Sequence, residues 1–216
     1  MDFQQRMLQK ITGFMEKSGG ITAGHMGRTS RYIGLFMDLL KWEDLYPEAF
    51  LSWDRDSFIR SALLHDLGKI SVKDSIVYKP GRLTREEYEE MKNHTLMGLE
   101  LIESLQNYSS STILLKYAKI LIGTHHEWWN GSGYPLGLKG RQIPLQGRIM
   151  AIVDVYDALV SERPYKRPFS HDEAVLTILQ GRGNHFDPIL ADLFLAGSDF
   201  FERVACGAEA YGDKTA

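Results

Sequence analysis

The stretch SFIRSALLHDLGK, residues 57–69, combines a helix pattern with an adjacent histidine and aspartate. Its apolar residues recur at the spacing of a buried helix. Asp56 is predicted to cap this helix and Gly68 to end it. His65 and Asp66 are therefore expected at the inner end of a buried helix. Two metal-binding side chains in such a place indicate a chemical role.

The same helical spacing recurs along almost the whole chain, whereas strand patterns are nearly absent. Two pairs, Thr84 with Glu87 and Ser170 with Glu173, form capping boxes that mark helix starts. We therefore predict an all-α fold, a single compact bundle of about seven or eight helices. The predicted helices cover residues 3–17, 22–41, 57–68, 85–104, 112–126, 145–162, 171–180 and 188–201.

The composition is that of one globular domain: 216 residues, 44% hydrophobic and 25% charged. We expect a helical extension over residues 1–20, the domain over 21–205 and a frayed tail over 206–216. A net charge of −3 gives no support for a DNA or RNA partner. The single cysteine, Cys206, allows no intramolecular disulfide, and neither a signal peptide nor a membrane span is predicted, so a cytoplasmic location is expected.

Seven histidines and several aspartates suggest a metal centre. A single histidine on an apolar face is ordinarily a core residue, but here one His-Asp pair, the pair His125-His126 and further histidines occur together. Asp154 lies inside an apolar helix, where a buried carboxylate is destabilising unless it is paired or bound to metal. Imidazole and carboxylate together suit Fe, Mn, Zn or Ni rather than Ca. Adjacent helix-end side chains diverge by about 100° and can serve two metals, and two metals suit phosphoester hydrolysis.

Four motifs occur in order along the chain: HDLGK (65–69), HHEWWNGSGYP (125–135), GLKGRQIPLQGRI (137–149) and DVYDALVSERPYK (154–166). With these motifs the chain resembles, from about His25 to Phe194, the HD-GYP family, a branch of the HD-domain metal-dependent phosphohydrolases. That resemblance implies an all-helical fold with an extended GYP loop, two or three metals, often iron or manganese, and hydrolysis of cyclic di-GMP to pGpG or GMP.

The resemblance also implies roles for individual residues. Asp66 would bridge two metals and, with Lys69, act in catalysis; Lys69 would face the phosphate and the activated water. Tyr134 would border the substrate pocket, and Arg163 and Lys166 would contact a phosphate or guanine, the arginine bidentately. The implied metal ligands are His25, His65, Asp66, His94, His125, His126 and Asp154.

Two positions depart from the family pattern. Asn130 replaces a frequent aspartate, and we expect little effect on the loop because asparagine also tolerates turn geometry. Ile21 replaces the glutamate typical of three-metal members and cannot bind a metal. We therefore predict two divalent ions, iron or manganese in preference to nickel or zinc, and hypothesise that the reaction stalls at pGpG.

The expected mechanism is in-line attack on phosphorus by a hydroxide held between two metals, with Lys69 neutralising the developing charge. The alternatives are hydrolysis of another cyclic or linear dinucleotide, or a weakly active domain that senses nucleotide or docks a partner. Family members also use the GYP loop to contact diguanylate cyclase domains. Glu127 either supports the site or is exposed, and Asp157 either supports it or caps local hydrogen bonds. Packing or surface roles are expected for Trp128, Trp129, His171 and His185.

Overall fold

The computed structural model describes residues 3–17, 23–108, 113–162 and 167–208. These residues form an all-α fold, as predicted, and within them an isolated bridge between Arg182 and Phe186 is the nearest approach to a strand. None of the described helices is both long and apolar enough to cross a membrane. The helices are α1 (Phe3–Lys17), α2 (Ala23–Trp42), α3 (Pro47–Ser52), α4 (Arg55–Ser61), α5 (Asp74–Val77), α6 (Arg85–Tyr108), α7 (Ile113–Thr124), α8 (Leu145–Val160), α9 (His171–Gln180), α10 (Pro188–Ala196) and α11 (Ser198–Ala205).

The described residues hold more helices than the seven or eight predicted. The short helices α3 and α5 were not predicted, because each spans fewer than two turns and shows no apolar period. The segment predicted as one helix over 188–201 is two helices that meet at Gly197. A side chain at Gly197 would meet the side chain of Leu39 in α2, so α2 lies close to this junction.

The segment 57–69 is not one helix, and Asp56 is not its cap. The cap is Asp54, whose carboxylate accepts the backbone N–H of Ser57 at 2.7 Å; Asp56 lies in the first turn of α4. After α4 the chain tightens into a 3₁₀ turn over Ala62–Leu64 and then another over Leu67–Ser71. Apolar spacing over so few residues does not distinguish a 3₁₀ turn from an α-helix. The consequence is a bend at His65 and Asp66.

Gly68 fixes where this bend lies. A Cβ on Gly68 would overlap the backbone carbonyl of His94 in α6, and Gly98 faces Gly68 from the same helix. The second 3₁₀ turn therefore lies directly on the backbone of α6. Only glycine permits this approach, which brings Asp66 and Lys69 beside His94.

Both capping boxes are confirmed. Glu87 accepts the Thr84 N–H at 2.7 Å, and Ser170 accepts the Glu173 N–H at 3.2 Å. α6 extends to Tyr108, beyond its predicted end at 104. α7 ends at Thr124, so His125 and His126 follow the helix in a turn; its predicted start at residues 111–112 lies outside the described residues.

Two apolar clusters form the core. The larger joins α2, α4 and α7–α11 through side chains such as Phe58, Tyr156 and Phe201. The smaller joins α1, α6 and α7, with Met15 and Leu64 among its members. Ala62 belongs to the larger cluster and Leu64 to the smaller, so the bend at 65–66 lies where the two clusters meet. The domain bounds at residues 20–21 and 205–206 stay a prediction.

Candidate metal centre

Asp66 lies among three imidazoles in the first of two ligand groups. The group consists of Asp66, His94, His125 and His126, and one ligand atom from each lies within 4.8 Å of the others. His94 Nε2 is 3.5 Å from Asp66 Oδ1, and His125 Nε2 is 3.8 Å from the same oxygen. Ligands that share an ion at about 2.0–2.2 Å are separated by such distances.

Asp66 supplies the test of whether a cation fits. Its Oδ1 is buried and has no hydrogen-bond partner among the described residues, whereas Oδ2 accepts Lys69 Nζ at 2.6 Å. A buried carboxylate oxygen without a partner is destabilising by about 1–3 kcal/mol or more. A divalent cation coordinated with the facing imidazoles would satisfy it, so the residues present fit a metal.

The second ligand group joins His25, His65 and Asp154. The Nε2 atoms of the two histidines are 3.4 Å apart, and Asp154 Oδ1 lies 3.7 Å from His25 and 3.6 Å from His65. Asp66 Oδ2 is 3.3 Å from His65 Nε2. Asp66 therefore turns one oxygen towards each group, which is the arrangement of a bridging carboxylate.

Backbone carbonyls orient three of the imidazoles. In each case the ring donates from Nδ1 to a carbonyl three or four residues earlier, which directs Nε2 towards the centre. The acceptors are Ala62 for His65 at 2.7 Å, Met91 for His94 at 2.7 Å and Leu121 for His125 at 2.8 Å.

Burial and charge set the protonation of the centre. Burial lowers the pKa of His126 to about 3 and also lowers the pKa values of His94 and His125, so these rings stay neutral and able to bind a metal. For His65, burial disfavours the cation, but Asp66 and Asp154 outweigh it and raise the pKa to about 10. His65 is therefore protonated in the absence of a metal, and its surroundings favour positive charge.

Both carboxylates of the centre are ionised. Burial disfavours their charge, but Lys69 and His65 hold the pKa of Asp66 well below its ordinary value. For Asp154, burial is likewise outweighed, mainly by His65, and the pKa is lowered. The negative charges of Asp66 and Asp154 therefore lie beside the positive charges of Lys69 and protonated His65.

Glu127 fixes the GYP loop, defined here as residues 128–138. Only 1% of Glu127 is exposed, so the hypothesis of simple exposure is wrong. Its carboxylate accepts the backbone N–H groups of Leu136 at 2.6 Å, Gly137 at 3.1 Å and Leu138 at 2.9 Å. Tyr134 stacks on His126 with 4.7 Å between ring centroids. The loop therefore covers the edge of the first ligand group.

The rest of the loop packs on the segment 184–186. Trp128 stacks on His185 at 4.2 Å, and Trp129 donates its backbone N–H to the His185 carbonyl at 2.9 Å. The stack agrees with the packing roles expected for Trp128 and His185. Asn130 Oδ1 accepts the Ser132 N–H at 2.8 Å, so asparagine does maintain a local turn.

Tyr88 and Lys92 of α6 extend the wall of the site and were missed in the sequence. Lys92 Nζ lies 5.4 Å from the Tyr88 ring centroid and 5.6 Å from that of Tyr134. Tyr88 is 47% exposed. Their spacing of four residues, just before His94, is the pattern that could have indicated a shared helix face.

The structure thus brings together all seven predicted metal ligands, Lys69 and Tyr134. Arg163, Lys166 and Ile21 lie outside the described residues. The contacts predicted for the two basic residues, and the effect predicted for Ile21, remain predictions.

Comparison with known proteins gives matches over most of the chain. The HD domain family matches residues 49–190. A "Probable cyclic di-GMP phosphodiesterase" of Vibrio cholerae serotype O1 is 45% identical over 94% of this chain and 46% of that protein. A "Cyclic di-GMP phosphodiesterase" of the same organism is 39% identical over 90% of this chain and 40% of that protein.

A third relative, also from Vibrio cholerae serotype O1, is named "3'3'-cGAMP-specific phosphodiesterase 2". It is 40% identical over 68% of this chain and 27% of that protein. The chain spans less than half the length of each of these three curated relatives.

Proposed function

Because this chain belongs to the HD domain family, we propose that it is a metal-dependent phosphodiesterase that hydrolyses cyclic di-GMP to pGpG, GMP or both. The observation that carries the proposal is the position of Asp66 between the two ligand groups. Its Oδ1 is buried and has no hydrogen-bond partner in the described chain. Two relatives named as cyclic di-GMP phosphodiesterases support the choice of substrate.

Two divalent ions fit the two ligand groups. We assign one to Asp66, His94, His125 and His126, and the other to His25, His65 and Asp154 with Asp66 shared between them. Mixed imidazole and carboxylate ligands favour iron or manganese and also accept nickel or zinc. When bound, such ions lower the pKa of an attacking water and stabilise charge on phosphoryl oxygens.

The chain's own side chains orient the reactants and balance charge. The ammonium group of Lys69, 2.6 Å from Asp66 Oδ2, lies where it can stabilise negative charge that develops on a phosphoryl oxygen. Tyr134 is held on His126 by the Glu127 contacts and forms one wall of the site. Arg163 and Lys166 are proposed to hold the phosphate or guanine of the dinucleotide.

A second substrate is 3'3'-cGAMP, because one relative is named for specificity towards it. The phosphodiester and one guanine are common to both cyclic dinucleotides, so the same metal centre would serve either. The choice between them lies with contacts to the second base.

Two further proposals concern context. We propose that the exposed tip of the GYP loop, where Leu136 is 61% exposed, contacts diguanylate cyclase domains. A cytoplasmic location is supported by the single cysteine, Cys206. Co-purification with a diguanylate cyclase domain, compared between wild type and Leu136→Asp, tests the proposed contact of the GYP loop.

Hydrolysis by the metal-loaded protein tests the main proposal. Metal-free protein is loaded anaerobically with Fe(II) or Mn(II), supplied with cyclic di-GMP or 3'3'-cGAMP, and the products are separated by chromatography. From cyclic di-GMP we expect pGpG or GMP with wild type and with Asp192→Asn, which removes an exposed ion pair with Arg182. Asp66→Ala should give no product. The absence of product from metal-loaded wild type, or full turnover by Asp66→Ala, would contradict the proposal.

A further inference from the structure

Two carboxylates from successive turns of α8 enclose the imidazole of His25. Asp157 Oδ2 contacts His25 Nδ1 at 2.7 Å, whereas Asp154 Oδ1 lies 3.7 Å from Nε2 on the other side of the ring. Asp154 also faces His65 at 3.6 Å. The two aspartates are three residues apart but differ in position: Asp154 faces the candidate metal and Asp157 faces the nitrogen directed away from it.

Arg28 holds Asp157 in this position. Its Nε donates to Asp157 Oδ1 at 2.6 Å and its Nη2 to Oδ2 at 3.0 Å, a bidentate contact between α2 and α8. Ser161 also donates to Oδ2 at 3.2 Å. Asp157 is 0% exposed, so the guanidinium balances a carboxylate that would otherwise be buried and unpaired. Both oxygens of Asp157 are engaged in these contacts, and Oδ2 lies against Nδ1 of His25, the nitrogen directed away from the candidate metal.

The Nδ1 contact of His25 differs in kind from those of its neighbours. His65, His94 and His125 each donate from Nδ1 to a carbonyl of their own helical turn. For His25 the corresponding partner is a side chain of another helix, and the His25 side chain is 16% exposed against 1% for His65. Without Asp157, the ring has more freedom to turn Nε2 away from the centre.

We infer that Asp157, anchored by Arg28, is a positioning residue that directs His25 Nε2 towards His65 and Asp154 and so sets the affinity of the second metal ion. The inference rests on the metal-binding part of the proposed function. It assigns the α2–α8 contact a selective effect: the first ligand group, built by α6 and by the turns after α4 and α7, does not depend on it.

Metal titration without substrate tests this inference. Metal-free protein is titrated with Mn(II) by calorimetry and with Co(II) by visible absorption, which reports the ligand geometry of each ion. Wild type should bind two equivalents. In Asp157→Asn, the first should bind as in wild type and the second about 10- to 100-fold more weakly. Arg28→Lys, which removes the bidentate contact, should weaken the second ion in the same direction.

Two further proteins make the test selective. Asp192→Asn removes a matched Asp–Arg pair outside the site and should bind both ions as wild type does. In a His25→Ala background, Asp157→Asn should have no further effect on the second ion, because the residue acts through His25. Circular dichroism checks that each variant is folded. If Asp157→Asn does not fold, the binding of the second ion to Arg28→Lys tests the inference instead.

The inference is overturned if both ions are weakened equally in folded Asp157→Asn or Arg28→Lys, or if neither is weakened. It is also overturned if Asp157→Asn weakens the second ion as much without His25 as with it. A wild-type protein that binds no metal would end both this inference and the proposed function. Two bound ions with no hydrolysis of a cyclic dinucleotide would contradict the proposed function alone.

Discussion

The carboxylate of Glu127 accepts the backbone N–H of Leu136 at 2.6 Å, across nine residues of chain. Glu127 directly follows His126, so the turn that places this predicted metal ligand also places the carboxylate that holds the loop. Gly133 lies where a side chain would overlap the backbone of residues 126–128. The loop therefore folds back tightly, and Tyr134 comes to rest on the ring of His126.

Glu127→Gln should loosen the GYP loop without emptying the metal centre. The neutral amide has one acceptor oxygen where the carboxylate has two, so at least one backbone N–H loses its partner. We expect the free energy of unfolding to fall by about 1–3 kcal/mol, measured by urea denaturation. KM for cyclic di-GMP should rise while the metal content stays unchanged.

Glu173→Gln is the control, since Glu173 also accepts a backbone N–H but does so in the exposed capping box of α9. It should leave KM unchanged. A Glu127→Gln protein with the KM of wild type would show that the loop keeps its position without the carboxylate.

Gly68→Ala should disrupt the bend that carries Asp66 and Lys69. The added methyl group would overlap the His94 carbonyl in the backbone of α6, which cannot move aside as a flexible side chain can. We expect a loss of about 1–3 kcal/mol or more in the free energy of unfolding and weaker binding of metal, measured by urea denaturation and metal analysis.

Gly27→Ala provides the contrast, because nothing lies within 4 Å of a Cβ at this position of α2. It should be neutral or stabilise the protein by about 0.5–1 kcal/mol, as alanine does in a helix. Equal stability of the two variants would refute the close packing of the bend on α6.

Much of the fold could be predicted because its helices begin with local patterns. The capping boxes at Thr84 and Ser170 fixed two helix starts from four residues each. The bend at 65–66 could not be predicted in this way, because it arises from the contact of Gly68 with α6, far along the chain. Asp54 and Asp56 are equally good caps by residue type, and only the backbone decides between them.

The candidate site also has parts that the sequence predicts and parts that it does not. Adjacent pairs such as His125-His126 and the mid-helix Asp154 are visible in the sequence, and the resemblance to HD-GYP proteins added ligand roles for His25 and His94. The partners of these residues are not visible, because they belong to distant segments. Glu127 could not be classed as buried until its N–H partners in the loop were known. The proximity of Lys92 to Tyr134 depends on how α6 packs against the GYP loop.

Tyr88 and Lys92 should contribute to substrate binding rather than to chemistry. An exposed aromatic ring with a nearby ammonium suits a base joined to a phosphate, since stacking on a ring contributes about 1–3 kcal/mol per base. Lys92→Gln and Tyr88→Ala should each raise KM for cyclic di-GMP by roughly tenfold or more and leave kcat close to wild type, measured by steady-state kinetics.

Lys73→Gln is the matched control, because Lys73 forms an ion pair with Glu90 of α6 on a more exposed surface. Its KM should equal that of wild type. If kcat fell in Lys92→Gln or Tyr88→Ala while KM did not change, the two residues would belong to the chemical step and not to binding.

His185 should make the metal-free protein less stable at acid pH. Burial lowers its pKa to about 4 from the ordinary 6.5. Above pH 6.5 the ring is neutral in both the folded and the unfolded chain. As the pH falls from about 6.5 to about 4, the unfolded chain gains a proton that the folded chain does not, so folding loses on the order of 2–3 kcal/mol.

The comparison of wild type with His185→Gln isolates this contribution, because the other histidines titrate in both proteins. Urea denaturation in the presence of a chelator, repeated between pH 7.5 and pH 4, measures the free energy of unfolding. Loss of the stack on Trp128 should lower the stability of His185→Gln at every pH. Its disadvantage should nevertheless shrink as the pH falls, since glutamine has no proton to gain. Two curves that stay parallel would mean that His185 accepts its proton as readily in the folded protein as in the unfolded one.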